Sequence, residues 1–270
     1  MNNNLKQLLS VVALVSVCGV SFAQSGGGSV ALTSNKNSFF GASSFSDVAS
    51  LPGFSLSAPT GMVASWGVAY AGVSGISQAP FTSRADGAVS GGIGFGNARK
   101  TLGGSVDLGV GSINPTDGGA FNRGGVGLTV GRFFTDSLIG VAVGVKNATG
   151  WDSDFDTPDP SYYAAVTKIL PNNYAPVIVN IGVGNNGYAD INETVDRTGE
   201  IDVFGSVAVY VLPQVSLIAD YTAGATSIGA SLVPFAKLPL TLNVGVWDVL
   251  DNINGADTAV TGSLTYAFVF

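Results

Sequence analysis

Residues 261–270 read TGSLTYAFVF. Bulky Leu264, Tyr266, Phe268 and Phe270 alternate with Ser263, Thr265, Ala267 and Val269, which are mostly small. That period of two belongs to a strand with two unlike faces. Chain termini are usually exposed and loosely held, so an apolar alternating strand in this position needs a structure that holds it.

The same period runs back through the chain. Ile139, Val141, Val143 and Val145 alternate with Gly140, Ala142, Gly144 and Lys146. Leu217, Ala219 and Tyr221 oppose Ser216, Asp220 and Thr222, and Leu242, Val244 and Val246 oppose Thr241, Asn243 and Gly245. Met62, Ala64, Trp66, Val68 and Tyr70 set the pattern for a first strand, and residues 162–169 form a strand whose faces the pattern leaves unassigned. Together these segments predict about twelve strands.

The connections sort into two kinds. Those at 96–100, 133–137, 170–176, 212–214 and 234–239 are short, and those at 74–86, 111–124, 147–161, 185–200 and 248–257 are long. The pair at 222–226 is short but falls in the long set. An even number of strands with short turns at one end and longer loops at the other is the pattern of a transmembrane antiparallel barrel. Lipid offers no water to an open sheet edge, so the last strand must close on the first. The competing architecture is a soluble β-sandwich that ends on a strand.

Composition agrees with a barrel whose outside faces lipid. Hydrophobic residues make up 46% of the 270, charged residues 11%, and glycine occupies 38 positions. Residues 1–23 read as a secretory signal peptide: Lys6 gives the positive start, an apolar run follows, and Ser21-Phe22-Ala23 suits cleavage before Gln24. A lipoprotein signal using Cys18 fits less well because bulky Val17 precedes it. Cys18 is the one cysteine, so the exported chain is expected to carry no disulfide. Residues 24–60 are rich in glycine and serine yet contain four phenylalanines. They are expected to form a periplasmic linker or a lumen plug ahead of a barrel at 61–270.

The alternating finish at Leu264, Tyr266, Phe268 and Phe270 resembles the C-terminal signature of bacterial outer-membrane barrels. The resemblance implies porin-like proteins of the cell outer membrane, surrounded by its lipid and inserted by the barrel-assembly machinery. SLPGF at 50–54, APTG at 58–61 and VFGSVAVYVLPQVSLIADYTAG at 203–224 are similar to a family of uncharacterised outer-membrane proteins, a likeness that implies location and no activity.

Candidate chemistry is sparse. The chain has no histidine, so histidine-based catalysis and His/Cys metal sites are excluded. A net charge of −7 argues against nucleic acid as a partner. Asp152, Asp154 and Asp156 have the first spacings of a calcium loop, but Thr157 and Tyr163 stand where such a loop needs glycine and glutamate. A solvated acidic loop accounts for them better. No cofactor and no enzymatic activity are expected.

By alternation Asp107, Arg123, Lys146, Asn180, Asp202, Asp220 and Asn243 should line the lumen. Twelve strands about 4.8 Å apart and tilted about 40° give a backbone radius of roughly 12 Å. The expected function is therefore a channel for passive diffusion of small solutes or ions, with lumen charges tuning selectivity. The alternative is a non-conducting structural or surface-binding barrel. Trp66, Tyr70, Tyr221, Tyr266 and Phe270 are candidate aromatics for the membrane interfaces.

Overall fold

The structure, a computed structural model, describes residues 51–82, 84–114, 119–152, 159–172, 174–192 and 200–270. The expected signal peptide, most of the Gly/Ser-rich segment, and Asp154 and Asp156 lie outside these residues. Twelve strands form one closed antiparallel sheet: β1 Val68–Ile76, β2 Asp86–Gly96, β3 Gly103–Gly111, β4 Arg123–Phe134, β5 Ile139–Asp152, β6 Ser161–Leu170, β7 Val177–Asn185, β8 Ile201–Leu212, β9 Val215–Thr222, β10 Ala225–Leu232, β11 Leu240–Trp247 and β12 Ala259–Val269. Each strand pairs with its sequence neighbours, and β12 closes on β1 in an unbroken register from Val68↔Val269 to Ile76↔Thr261. Closure leaves no edge strand, as predicted.

The turns 97–102, 135–138, 171–176, 213–214 and 233–239 lie at the end that also holds the start of β1 and the end of β12. The long connections lie at the other, the loop end. The outward positions carry an apolar belt in which Val73, Val143, Ile181, Val203, Leu217 and Val260 are all more than half exposed. On the described strands the outward charges are Arg132 and Lys168, both near the turn end, where Arg132 lies 5.0 Å over the ring of Phe134. The belt is flanked by aromatics: Trp66, Phe134, Phe268 and Phe270 near the turn end, Trp151, Tyr162 and Tyr221 near the loop end.

Two expectations from alternation need correction at the start of the barrel. The first strand begins at Val68, not at Met62; residues 62–64 are buried inside the barrel. Tyr70 faces inward and is 4% exposed, so it is no interface aromatic. The reason for both is Gly67. Its φ of +92° is a backbone conformation that side chains resist, and it turns the chain from the lumen into the wall. A parity counted from Met62 does not survive that turn. A further difference lies at β5, which continues to Asp152, so residues 147–152 belong to the wall rather than to a loop. A bulge opposite Val126 and Leu128 shifts its register there and carries Asn147 inward.

The inward positions of β6, which the pattern could not assign, are Ser161, Tyr163, Ala165, Thr167 and Ile169. At the loop end the connections fold on one another. Ile76, Phe81, Ile191, Trp247, Ile253 and Ala256 form one apolar cluster that joins the β1–β2, β7–β8 and β11–β12 connections. Asn192 ties two of these loops, donating to the Asn252 carbonyl and accepting from the Asn254 amide.

Candidate functional site: a plugged lumen

Residues 51–65 run inside the barrel. They go in at the turn end beside β8 and β9, where the Tyr210 hydroxyl donates to the Pro52 carbonyl at 2.7 Å. The Gly53 amide donates to Ser231 Oγ at 2.7 Å, and Ser216 Oγ donates to the Gly53 carbonyl. Ser206 Oγ donates to the Phe54 carbonyl at 2.9 Å. The segment then turns over at residues 55–58 and descends past β7 and β6. There Asn180 Nδ2 donates to the Pro59 carbonyl and the Gly61 amide donates to Thr167 Oγ1, each at 2.8 Å. It leaves beside β2, where the Trp66 amide donates to the Gly96 carbonyl at 3.0 Å.

The summit of this plug is held by one carboxylate. Asp220, 3% exposed on β9, accepts from Ser55 Oγ at 2.7 Å, the Leu56 amide at 2.9 Å, Ser57 Oγ at 2.6 Å, and the Ser57 and Ala58 amides at 3.3 and 3.2 Å. Thr222 Oγ1 adds a bond from the wall at 3.1 Å. Successive backbone amides wrapped on a carboxylate form an anion nest, and such charge-assisted bonds are the stronger kind.

Packing follows the same path. Phe54, Leu56 and Met62 are buried against Phe133, Ile169, Ile178, Tyr210 and Ile218, which are inward-facing wall residues. Burying each such plug side chain contributes about 1.5–3 kcal/mol. The glycines of the inner wall also have a use here. A Cβ at Gly94, Gly103 or Gly140 would collide with the backbone of Ser65, Ala64 or Gly61, so bare wall lets the plug lie close.

Of the residues expected in the lumen, Asp107, Arg123, Asn180, Asp220 and Asn243 are buried, while Lys146 and Asp202 are partly buried. They do not form one filter. Asn180 and Asp220 hold the plug. Arg123 Nε lies 3.9 Å from Asp152 Oδ2, which gives that calcium candidate a cationic neighbour. Asp202 accepts from the Asp190 amide at 2.7 Å and so anchors a loop. Asn243 donates to Ser263 Oγ at 2.9 Å.

Asp107 and Lys146 share a small pocket beside the plug summit. Its walls come from β3 to β6 and its floor from residues 57–59. In the wall, Thr129 Oγ1 and the Tyr163 hydroxyl are 2.8 Å apart and bonded.

At the seam, Leu264, Phe268 and Phe270 are exposed and Tyr266 is half-buried. Tyr266 and Phe268 rings lie 4.8 Å apart, and Phe270 meets Trp66 edge-on at 5.6 Å. The Phe270 amide donates to the Gly67 carbonyl at 2.9 Å.

Alternation did not reveal Thr167, Ser206, Tyr210, Ser216 and Ser231 as plug anchors. One signal was available: Phe204, Tyr210, Ile178 and Ile218 are large apolar residues on a face that is otherwise small and polar. A water-filled lumen gives no reason for them, whereas an internal segment does.

The chain matches no family model and no curated protein sequence. In shape it is similar to an outer-membrane channel from Pseudomonas putida F1, known from a crystal structure. The two are 16% identical, with a TM-score of 0.45, over 76% of this chain and 96% of that one.

Proposed function

We propose that the protein is an outer-membrane channel for small solutes or ions whose path is closed by its own internal segment, residues 51–65. The observation that carries this reading is the summit of the plug on Asp220. The segment crosses a glycine-rich lumen and is held there by hydrogen bonds that water could replace and by the burial of Phe54, Leu56 and Met62. Lipid surrounds the apolar belt, the turn end faces the periplasm, and solutes pass when the segment withdraws. Conductance across planar bilayers, parent against plug-free barrel, tests it. If the plug-free barrel is folded and does not conduct, a structural or surface-binding role takes its place.

Orientation has its own test. With the turns periplasmic, the connections that follow β5 and β7 lie at the outer end of the barrel. An epitope tag in either connection should be bound by antibody on intact cells. Labelling only after permeabilisation would invert the topology.

Assembly is expected to depend on the seam. Deleting Phe270 removes the amide bond to Gly67 and the ring against Trp66. We expect the heat-modifiable, folded fraction in outer membranes to fall several-fold, because the barrel must close on its last strand to leave no open edge in lipid. Insertion equal to the parent would refute this dependence.

A further inference from the structure

Charge is not spread evenly between the two ends of the barrel. Among the described residues the turn end carries Arg99, Lys100, Arg132, Lys168 and Lys237 against Asp136, whereas acids outnumber bases at the loop end. Arg99, Lys100 and Lys237 lie in turns. Arg132 and Lys168 project instead from β4 and β6 on the face that meets lipid. A lipid-facing cation is costly at the bilayer middle and nearly free at its surface, where lipid phosphates begin. Arg132 stands at the level of the turn-end aromatics, 5.0 Å over the ring of Phe134, so the pair belongs to the headgroup layer.

The two cations flank one strip of wall. Arg132 pairs with Val141 and Phe134 with Ile139 on β5, while Val141 pairs with Val166 and Ile139 with Lys168 on β6. Arg132 and Lys168 thus stand on either side of Ile139 and Val141, on strands two spacings or roughly 10 Å apart. Lys168 Nζ donates to the Ser137 carbonyl, which draws it toward the β4–β5 turn, the side on which Arg132 stands, and uses one of its three protons. Asp136 in that turn offsets one of the two charges and leaves the strip positive. Toward the bilayer middle the strip continues as exposed Val143 and Val166.

We propose that this outer face of β4 to β6 binds one anionic phospholipid, its phosphate between Arg132 and Lys168 and an acyl chain along Val141, Val143 and Val166. A zwitterionic headgroup would bring its own ammonium beside the two cations; a headgroup of net negative charge does not. The orientation proposed above puts the site in the periplasmic leaflet, but binding requires neither that orientation nor conduction.

The test uses the full chain folded in detergent micelles, mixed with phosphatidylglycerol and phosphatidylcholine of equal chain length. Native mass spectrometry of the folded barrel reads the lipid retained. Phosphatidylglycerol should be retained about tenfold more than phosphatidylcholine. Replacing Arg132→Gln and Lys168→Gln together should bring the two lipids to near equality. Replacing Lys100→Gln and Lys237→Gln removes the same charge from turns at the same end and should keep the parent's preference. None of the four side chains is buried, so both double variants should keep the parent's heat-modifiable mobility. The parent's own preference decides the matter should one fail to fold. No preference in the parent, equal loss in the two double variants, or displacement of phosphatidylglycerol by an equal amount of lipid A would overturn the proposal.

Discussion

A chain that begins at Trp66, refolded into detergent and added to a planar bilayer, should conduct, while the parent barrel stays closed for most of the recording. The expected difference in mean conductance is about tenfold or more, because the plug occupies a lumen whose open radius would otherwise admit hydrated ions. The barrel should survive the deletion. Its twelve strands pair without a gap, and the seam between β1 and β12 uses no residue before Trp66: Gly67 still accepts from the Phe270 amide and Trp66 still offers its ring to Phe270. The cost falls on the inner wall, where Tyr210, Ile178 and Ile218 lose Phe54 and Leu56. Exposing that surface to lumen water should lower the temperature at which heat-modifiability is lost, without changing the strand content seen by circular dichroism. A folded, plug-free barrel that conducts no better than the parent would remove the plug from the account of gating and put a structural or surface-binding role in place of the channel.

How much of this was written in the sequence depends on which surface a residue meets. Strands β7 to β12 face lipid on one side and a polar interior on the other, so period two gives their faces directly. Val203, Leu217, Ile228 and Val244 point outward as alternation requires. Strand β6 resists because its inward Ile169 packs on the plug and its outward Lys168 reaches the Ser137 carbonyl at the barrel rim, so neither face is uniform. Residues 62–64 mislead for a related reason. Met62, Val63 and Ala64 are all buried in the lumen, and a segment enclosed on every side carries no two-faced signal. The plug's path was hidden because its anchors are hydroxyls that look like ordinary lumen lining: Ser206, Ser216, Ser231 and Thr167 each bond one backbone group of a segment more than a hundred residues away. Spacing cannot report a contact of that kind. Asp220 could be placed on the inner face from the period alone, but its role follows only from what it touches.

That role gives the second large effect. Asp220→Ala should release the plug while leaving the wall intact, since Asp220 supports no strand pairing with its side chain. The substitution removes the acceptor for five bonds from residues 55–58. Hydrogen bonds to a charged group contribute about 1.5–3 kcal/mol each, but they share one carboxylate and are not additive. The bared amides lie beside the pocket, where water can take them up, so a net loss of about 3 kcal/mol is a reasonable scale. At 1.4 kcal/mol per tenfold, that moves the closed-to-open ratio by about a hundredfold. The parent's long closures should give way to frequent openings of the same size as those of the plug-free chain. Asp220→Asn keeps one acceptor oxygen and loses the charge, so it should fall between the two. Asp202→Asn removes an equal charge from a loop anchor that does not touch the plug, and it should leave the open probability near the parent's. That contrast separates anchoring from electrostatics: were Asp220 acting only as a lumen charge, the two asparagine variants would alter ion preference alike and neither would open the channel. Equal open probability in Asp220→Ala and the parent would mean that the plug is held by its apolar contacts, with Phe54 and Leu56 as the next residues to replace.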